Sequence, residues 1–219
     1  MSKSTDLGLL VLRLGFGAAA ASHGAQKLLG WFGGHGLEGT GGFFESVGFT
    51  PGKRNATLAG LAEGGGGLAV ALGLATGPAG AALAGNMVVA SSLHGYEKFY
   101  AADGGPELPL AYAAVGTALT GNMVVASSLH GYQKFFAADG GPEMSLAYAV
   151  VGSALTLTGA GRYSLDHATG HVLDKPWMRV AAYAAAAGAA TSIILARRKE
   201  LASRPPEPEV PAEGADDAS

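Results

Sequence analysis

The sequence predicts an all-α protein, a polytopic bundle of transmembrane helices. Charged residues make up only 14% of the 219 residues and hydrophobic residues 48%, whereas a soluble domain carries about 25% charge. Residues 108–132, 144–161 and 180–196 contain no charged side chain, and residues 56–96 contain only Glu63. Because a helix needs roughly 20 largely apolar residues to cross a bilayer, with about 17 as the lower limit, each stretch is long enough for one crossing.

The alternative class is an alanine- and glycine-rich soluble helical protein. Each helix of such a protein would need a polar face towards water, and the uncharged stretches have none, so we favour the membrane class. The bundle is predicted over residues 1–199. Its predicted spans are residues 7–29, 56–76, 79–98, 108–131, 144–160 and 178–196.

The first predicted span contains Arg13 and ends near Lys27 and Trp31, residue types that are frequent at membrane interfaces. Arg13 interrupts the apolar run that a signal peptide would need, so we interpret the segment as a retained helix. The connection over residues 30–52 carries five aromatic residues. We expect this connection to lie in the interface, with a short helix near residues 43–47.

The last predicted span is followed by basic residues at positions 197–199, which argue for a cytoplasmic carboxyl terminus. With six spans the amino terminus would also lie inside, and Lys53 and Arg54 would lie outside. The count of basic residues therefore gives only a weak preference for one orientation. Residues 200–219 are acidic and rich in proline, a composition that predicts a disordered tail.

Residues 85–120 and 121–156 form a tandem repeat in which the two copies differ at only six of 36 positions. A structural repeat needs a shared pattern rather than identity, so the repeat indicates a recent duplication or a product of how the sequence was made. Joining the copies creates one uncharged hybrid span, and loops 99–107 and 135–143 are then predicted on opposite membrane faces. The alternative is a hybrid that stays re-entrant or poorly packed.

Ionisable side chains within the predicted spans form the candidate site. Arg13, His23 and Lys27 lie on one stripe of the first span, given 3.6 residues per turn. Glu63 lies among small residues of the second span, and His94 has a similar estimated depth in the third. Charged groups inside a membrane are costly, so they are usually paired or functional. The cluster predicts a proton-handling or quinone-contacting site, or else a buried ion-pair network that only fixes helix order.

Other chemistry is less well supported by the sequence. A haem held by His23 and His94 is not expected, because the glycine-rich helices have few bulky residues to enclose a porphyrin. The chain has no cysteine, which excludes thiolate ligands and thiol relays, and no metal site is predicted. Nucleic acid is not an expected partner, since no basic patch is present. Asn86 and its copy Asn122 are predicted to make hydrogen bonds between helices.

Residues 7–49, LGLLVLRLGFGAAAASHGAQKLLGWFGGHGLEGTGGFFESVGF, resemble the DoxX family of small prokaryotic membrane proteins. The segments LAGLAEGGGGLAVALGLAT (58–76), DGGPELPLAYA (103–113) and GRYSLD (161–166) support the resemblance. It implies a four-helix core in the prokaryotic cytoplasmic membrane, to which this chain adds the hybrid span and a further carboxyl-terminal helix. The positions that match the family's polar residues are Arg13, His23, Gln26, Lys27 and Glu63.

Some relatives look like the membrane subunit of a thiosulfate–quinone oxidoreductase, and others partner superoxide dismutase and a thiosulfate sulfurtransferase in redox defence. The resemblance therefore implies the membrane subunit or anchor of a redox complex, accessory rather than catalytic, with no intrinsic cofactor and quinone as a candidate ligand. Expected partners are the lipid bilayer and a soluble oxidoreductase, superoxide dismutase or sulfurtransferase. The alternatives are a small-solute or proton-linked transporter and a scaffold without a site.

Overall fold

The computed structural model describes residues 2–93 and 143–205, and this part of the chain is helical, without a strand. The described helices are α1 (Lys3–Leu29), α2 (Gly36–Ser46), α3 (Gly52–Leu72), α4 (Thr76–Ser91), α5 (Glu143–Thr158), α6 (Leu165–Ala168) and α7 (Pro176–Ser203), with a 3₁₀ turn at Trp31–Gly33. They form one bundle, in which α2 and α6 are short helices within the connections.

Helix ends follow local sequence signals. The Ser2 hydroxyl accepts a hydrogen bond from the Thr5 N–H at 3.2 Å and caps the start of α1. Gly30 ends α1 and Gly73 ends α3, both in the left-handed conformation, with φ of 72° and 66°. Glycine adopts this conformation without the steric cost that a Cβ atom adds, so both positions stop a helix cleanly.

Several helix boundaries differ from the predicted ones. The second predicted span began at residue 56 and ended at 76, whereas α3 covers Gly52–Leu72 because Gly73 terminates it. Consequently α4 begins at Thr76 rather than at residue 79. The short helix predicted near residues 43–47 begins earlier, at Gly36. Helix α7 continues to Ser203, past the predicted boundary of the tail at residue 199.

Other predictions fall on residues outside the described part of the chain. These are the hybrid span at 108–131, the loop at 99–107, the loop at 135–143 up to residue 142, and the end of the third predicted span. The tail beyond residue 205 also lies outside it.

Four helices, α1, α3, α4 and α5, share one buried core. Its largest side chains are Phe16 from α1, Val70 from α3, Leu83 from α4 and Leu155 from α5. Partly buried Tyr148 from α5 packs against this core, with its ring centroid 5.0 Å from that of Phe16. Both halves of the described chain, 2–93 and 143–205, therefore contribute to a single core.

Glycines bring α1 and α3 unusually close. A Cβ atom added to Gly24 would lie 2.2 Å from the Gly64 nitrogen, and one added to Gly67 would lie 2.5 Å from the Ala21 nitrogen. Real Cβ atoms do not approach backbone so closely, so only glycine fits at these two positions. Small residues permit such backbone approach between membrane helices. By contrast, a Cβ atom on Gly65 would meet nothing within 4 Å.

Helices α4 and α5 are antiparallel neighbours. The Thr156 hydroxyl, near the end of α5, donates a hydrogen bond of 3.0 Å to the Gly77 carbonyl, near the start of α4. Gly80 and Gly152 touch one turn further along, through their backbones. Helix α4 therefore ends, and α5 begins, at the same end of the bundle. A single added crossing between them predicts opposite ends, so the arrangement of the described helices differs from that topology.

The bundle has two ends, which we name for the elements found there. The α2 end comprises α2, the end of α1, the start of α3 and the ends of α4 and α7. The amino-terminal end comprises the start of α1, the α3–α4 turn, α6 and the start of α7. Helices α1 and α7 both run from the amino-terminal end to the α2 end.

The outer surface is apolar where a soluble protein would be polar. On α3, Leu58, Leu61 and Leu68 are about half exposed, while Glu63 on the same helix is buried. Within the described residues, two helices, α1 and α7, are long and apolar enough to cross a membrane by length and composition. Leucines outside and charges inside are the pattern expected where lipid replaces water as the surrounding solvent.

Candidate functional site

Glu63 is the centre of a polar cluster between α1, α3 and α4. The Lys27 Nζ lies 2.5 Å from Glu63 Oε2, and Asn86 Nδ2 donates to Glu63 Oε1 at 2.9 Å. Glu63 is only 3% exposed, whereas 26% of the Lys27 side chain is accessible. Each carboxylate oxygen therefore has one donor, and the ammonium group retains an accessible side.

The glycine contacts explain why Lys27 reaches Glu63. Gly24 lies one turn before Lys27 on α1, and Gly64 directly follows Glu63 on α3. The backbones of α1 and α3 touch at Gly24 and Gly64. The distance between the two helices is therefore short enough for the Lys27 side chain to reach the Glu63 carboxylate. The predicted ion pair of Glu63 is thus present, and Lys27 is the partner. The predicted interhelical hydrogen bond of Asn86 is confirmed as well.

His23 and Gln26 lie next to this pair without bonding to Glu63. The His23 Nδ1 is 3.0 Å from Gln26 Oε1, so the imidazole N–H donates to the amide oxygen. Gln26 Nε2 in turn donates to the Phe32 carbonyl at 3.3 Å. The His23 ring also meets Tyr148 of α5 edge-on, with 6.1 Å between ring centroids. The sequence analysis did not identify Tyr148, because nothing in its helix marks that position as facing α1.

A cavity of about 730 Å³ opens beside this cluster. Its walls are mostly apolar and come from α2, α3, α4 and α7, including an alanine-rich face of α7. The polar side chains at the wall number seven, and they are His23, Lys27, Asn55, Glu63, Asn86, Ser145 and Tyr148. A largely apolar pocket with a few convergent polar groups is the usual form of a small-molecule site, and this volume lies within the common range.

We call His23, Gln26, Lys27, Glu63 and Asn86 the cavity-side cluster. It contains four of the six predicted site residues. Another of them, His94, lies outside the described part of the chain. The described residues contain no group of three or more His, Asp or Glu side chains placed to hold a metal ion.

Arg13 does not belong to the cavity-side cluster, although the sequence analysis placed it on the same stripe. It precedes Lys27 by 14 residues, which corresponds to about 21 Å along a helix. Its guanidinium donates to the Val70 and Ala71 carbonyls at 3.4 and 3.3 Å, and to the Tyr163 carbonyl at 2.5 Å. Arg13 is completely buried at the amino-terminal end, where it ties the end of α3 to the loop before α6.

Two buried aspartates complete this second cluster. Asp166 accepts hydrogen bonds from the backbone N–H groups of Ala75 and Thr76, at 2.7 and 2.9 Å. Asp174 accepts one from the Gly77 N–H at 3.0 Å, and its carboxylate pairs with Arg179, with donor–acceptor distances of 2.9 and 2.7 Å. The two carboxylates therefore satisfy the first free N–H groups of α4.

We call Arg13, Asp166, Asp174 and Arg179 the loop-side cluster. Of these four residues, only Arg13 was among the predicted site residues. One signal was available, since Asp166 closes the GRYSLD segment that supported the family resemblance. The N–H groups that the aspartates accept could not be inferred, because they belong to a turn about ninety residues away in the sequence.

Apolar outer faces, buried ion pairs between helices, and two helices of membrane-spanning length define the class of this protein. It is an all-α membrane protein. The sequence model of the DoxX family matches residues 8–95, and the predicted resemblance to this family is confirmed over that segment. The matched segment is less than half of the chain and includes Arg13 and the whole cavity-side cluster.

Comparison with curated proteins gave no match, and comparison with solved structures gave none either.

Proposed function

We propose that the protein is the membrane subunit or anchor of a redox complex, and that the cavity-side cluster binds the head group of a quinone. The observation that carries this proposal is the position of the Lys27–Glu63 pair, which lies at the wall of a large apolar cavity and remains accessible through Lys27. A quinone combines two hydrogen-bond-accepting carbonyls with an apolar ring and tail. This combination matches the few polar groups and the apolar walls of the cavity.

The cluster has donors to spare for a carbonyl oxygen. A lysine ammonium carries three N–H donors and an asparagine amide two, whereas Glu63 takes one from each of Lys27 and Asn86. The remaining donors are available to a ligand in the cavity. The apolar tail would lie against the alanine-rich face of α7, which forms another wall.

The same pair can handle protons. Reduction of a quinone to a quinol consumes two electrons and two protons. A carboxylate and an ammonium group within hydrogen-bond reach of the carbonyl are suitable for proton transfer. The electrons would come from the redox centre of a partner protein, for which the family resemblance offers a soluble oxidoreductase, superoxide dismutase or sulfurtransferase. Affinity purification in mild detergent, followed by identification of the bound proteins, tests the partner.

The quinone proposal is tested by extracting and quantifying quinone from protein purified in mild detergent. Glu63→Gln removes the charge that orients Lys27, and Lys27→Met removes the donor itself. Both are expected to lower the affinity for quinone about tenfold, the equivalent of roughly 1.4 kcal/mol or about one hydrogen bond, so that less quinone is recovered. The matched control is Glu38→Gln, which breaks the exposed Lys53–Glu38 pair at the same end. Equal quinone content in all four proteins would refute the site.

A proton-linked transporter is the second candidate, and the same buried ion pair favours it. A carboxylate that exchanges protons beside a cavity is a recurring feature of such transporters. Purified protein in liposomes separates the two functions. Uptake of a small solute driven by a pH gradient, and lost in Glu63→Gln, supports transport. Quinone binding without such uptake supports the redox subunit.

A further inference from the structure

Basic residues from distant parts of the sequence meet at the α2 end. Arg197 of α7 donates to the Val47 carbonyl through Nε and to the Ser92 carbonyl through NH1, both at 2.9 Å. Arg204 donates to the carbonyls of Glu45 and Ser46, both at 2.7 Å. These contacts fix the end of α7 beside the ends of α2 and α4. The sequence analysis had placed these two basic segments on opposite sides of the membrane.

Besides Lys27 of the cavity-side cluster, the α2 end consequently holds six basic residues, three of them exposed and without an ion pair to any described residue. These three are Arg54, Arg198 and Lys199. The other three either pair with a glutamate or bond to backbone carbonyls. They are Lys53, Arg197 and Arg204.

The amino-terminal end has a different balance. Arg162 lies 3.8 Å from the Asp6 carboxylate, and Arg179 pairs with Asp174. Of the basic residues in the loops of this end, Lys3 and Lys175 make no ion pair within residues 2–93 and 143–205. The α2 end therefore has three exposed basic residues without an ion pair, against two at the amino-terminal end.

Exposed aromatic residues accompany the basic surface. Trp31, Phe32 and Phe43 are all more than half exposed at the α2 end. Aromatic rings favour the layer between hydrocarbon and water, and lysine and arginine favour the anionic cytoplasmic leaflet.

We propose that the α2 end faces the cytoplasm, with Arg54, Arg198 and Lys199 against anionic lipid head groups, and that the amino-terminal end faces the opposite side. The proposal does not rest on quinone binding. Its consequence for the cavity-side cluster is that Lys27 and Glu63 lie in the cytoplasmic half of the membrane. Protons and a soluble partner would then reach them from the cytoplasm.

The chain has no cysteine, so single introduced cysteines can report orientation. Ala168→Cys marks the amino-terminal end, and Gly42→Cys and Ser203→Cys mark the α2 end. All three positions are exposed. A membrane-impermeant maleimide on intact cells is expected to label only Ala168→Cys, and all three after the membrane is permeabilised. Labelling of the α2-end cysteines on intact cells, alone or together with Ala168→Cys, overturns the orientation.

A second measurement tests the cause of the orientation. Replacing Arg54, Arg198 and Lys199 with glutamine in the Ala168→Cys background is expected to produce a fraction of molecules that is protected from the maleimide. The matched control replaces Lys3, Arg162 and Lys175 instead, and is expected to leave labelling complete. Unchanged labelling in the first variant overturns the role of the basic surface, although the orientation itself would stand.

Discussion

The two buried clusters have similar chemistry but different surroundings. Both join helices through a carboxylate and a cation. In the loop-side cluster, Asp166 and Asp174 have less than 2% exposure and accept backbone N–H groups from the start of α4. In the cavity-side cluster, Glu63 is equally enclosed, but its partner Lys27 is partly accessible from a cavity.

This difference separates a structural role from a binding role. The loop-side groups are committed to backbone atoms, so they hold the α3–α4 turn, the α5–α6 loop and the start of α7 together. The cavity-side groups retain donors that face open space. The charge of a buried ion pair therefore does not distinguish a binding role from a structural role. The distinction comes from whether its groups bond to backbone atoms or face a cavity.

The largest effect on stability is expected at the loop-side cluster. Arg13→Gln removes a fully buried guanidinium that bonds to three backbone carbonyls, and each buried acceptor left without a donor costs about 1–3 kcal/mol. Thermal unfolding in detergent measures the loss. The control is Lys175→Gln at the same end, whose side chain is exposed and makes no ion pair with a described residue, so its removal should cost at most about 1 kcal/mol. Equal destabilisation by both changes would contradict the structural role.

At the cavity-side cluster, a substitution is expected to affect quinone binding more than stability. Glu63→Gln keeps an acceptor for Asn86, and the accessible Lys27 can turn towards the cavity. We therefore expect a smaller loss of stability, about 1–3 kcal/mol, together with the loss of bound quinone. The two effects are measured on the same preparation, by thermal unfolding and by quinone extraction. If Glu63→Gln unfolded the protein as severely as Arg13→Gln, the two clusters would share one structural role.

Two glycines of the α1–α3 contact give a finer test. Gly24→Ala places a Cβ atom against the Gly64 backbone and should cost about 1–3 kcal/mol by overpacking. It should also weaken quinone binding, because it separates Lys27 from Glu63. Gly65→Ala meets no atom within 4 Å and should gain up to about 1 kcal/mol in helix propensity. Similar effects of both changes on unfolding would show that the helices are not in contact at Gly24.

The smallest effect is expected for an in-register deletion of residues 94–129. It joins Leu93 to His130, leaves one complete repeat and keeps every described residue. Helix α4 ends and α5 begins at the same end of the bundle, so residues 130–142 need only connect neighbouring helices. Unfolding temperature and quinone content are both expected to match those of the full chain. The control deletion, residues 143–158, removes α5 and should abolish folding. Failure of both deletions would mean that the core needs the whole repeat.

Sequence patterns predicted helices more reliably than their ends and partners. Uncharged length located α5 and α7, and the membrane cost of charge placed Lys27 and Glu63 among the candidate site residues without assigning them to each other. The second predicted span extends to residue 76, whereas Gly73 ends α3 and the aspartates of a distant loop allow α4 to begin at Thr76. Arg13 was assigned to the wrong cluster because residues on one stripe of a helix share a direction around the helix axis. The stripe does not show that Arg13 and Lys27 lie at opposite ends of the bundle.

Photoaffinity labelling with a photoreactive quinone tests most directly whether the cavity-side cluster, rather than the loop-side cluster, binds the ligand. The labelled protein is digested and the modified peptides are identified by mass spectrometry. Binding at the cavity-side cluster predicts modification within residues 55–63, 85–93 or 182–193, which line the cavity, with loss of labelling in Glu63→Gln. Modification confined to residues 159–179, around the loop-side cluster, would contradict the assignment of the binding role.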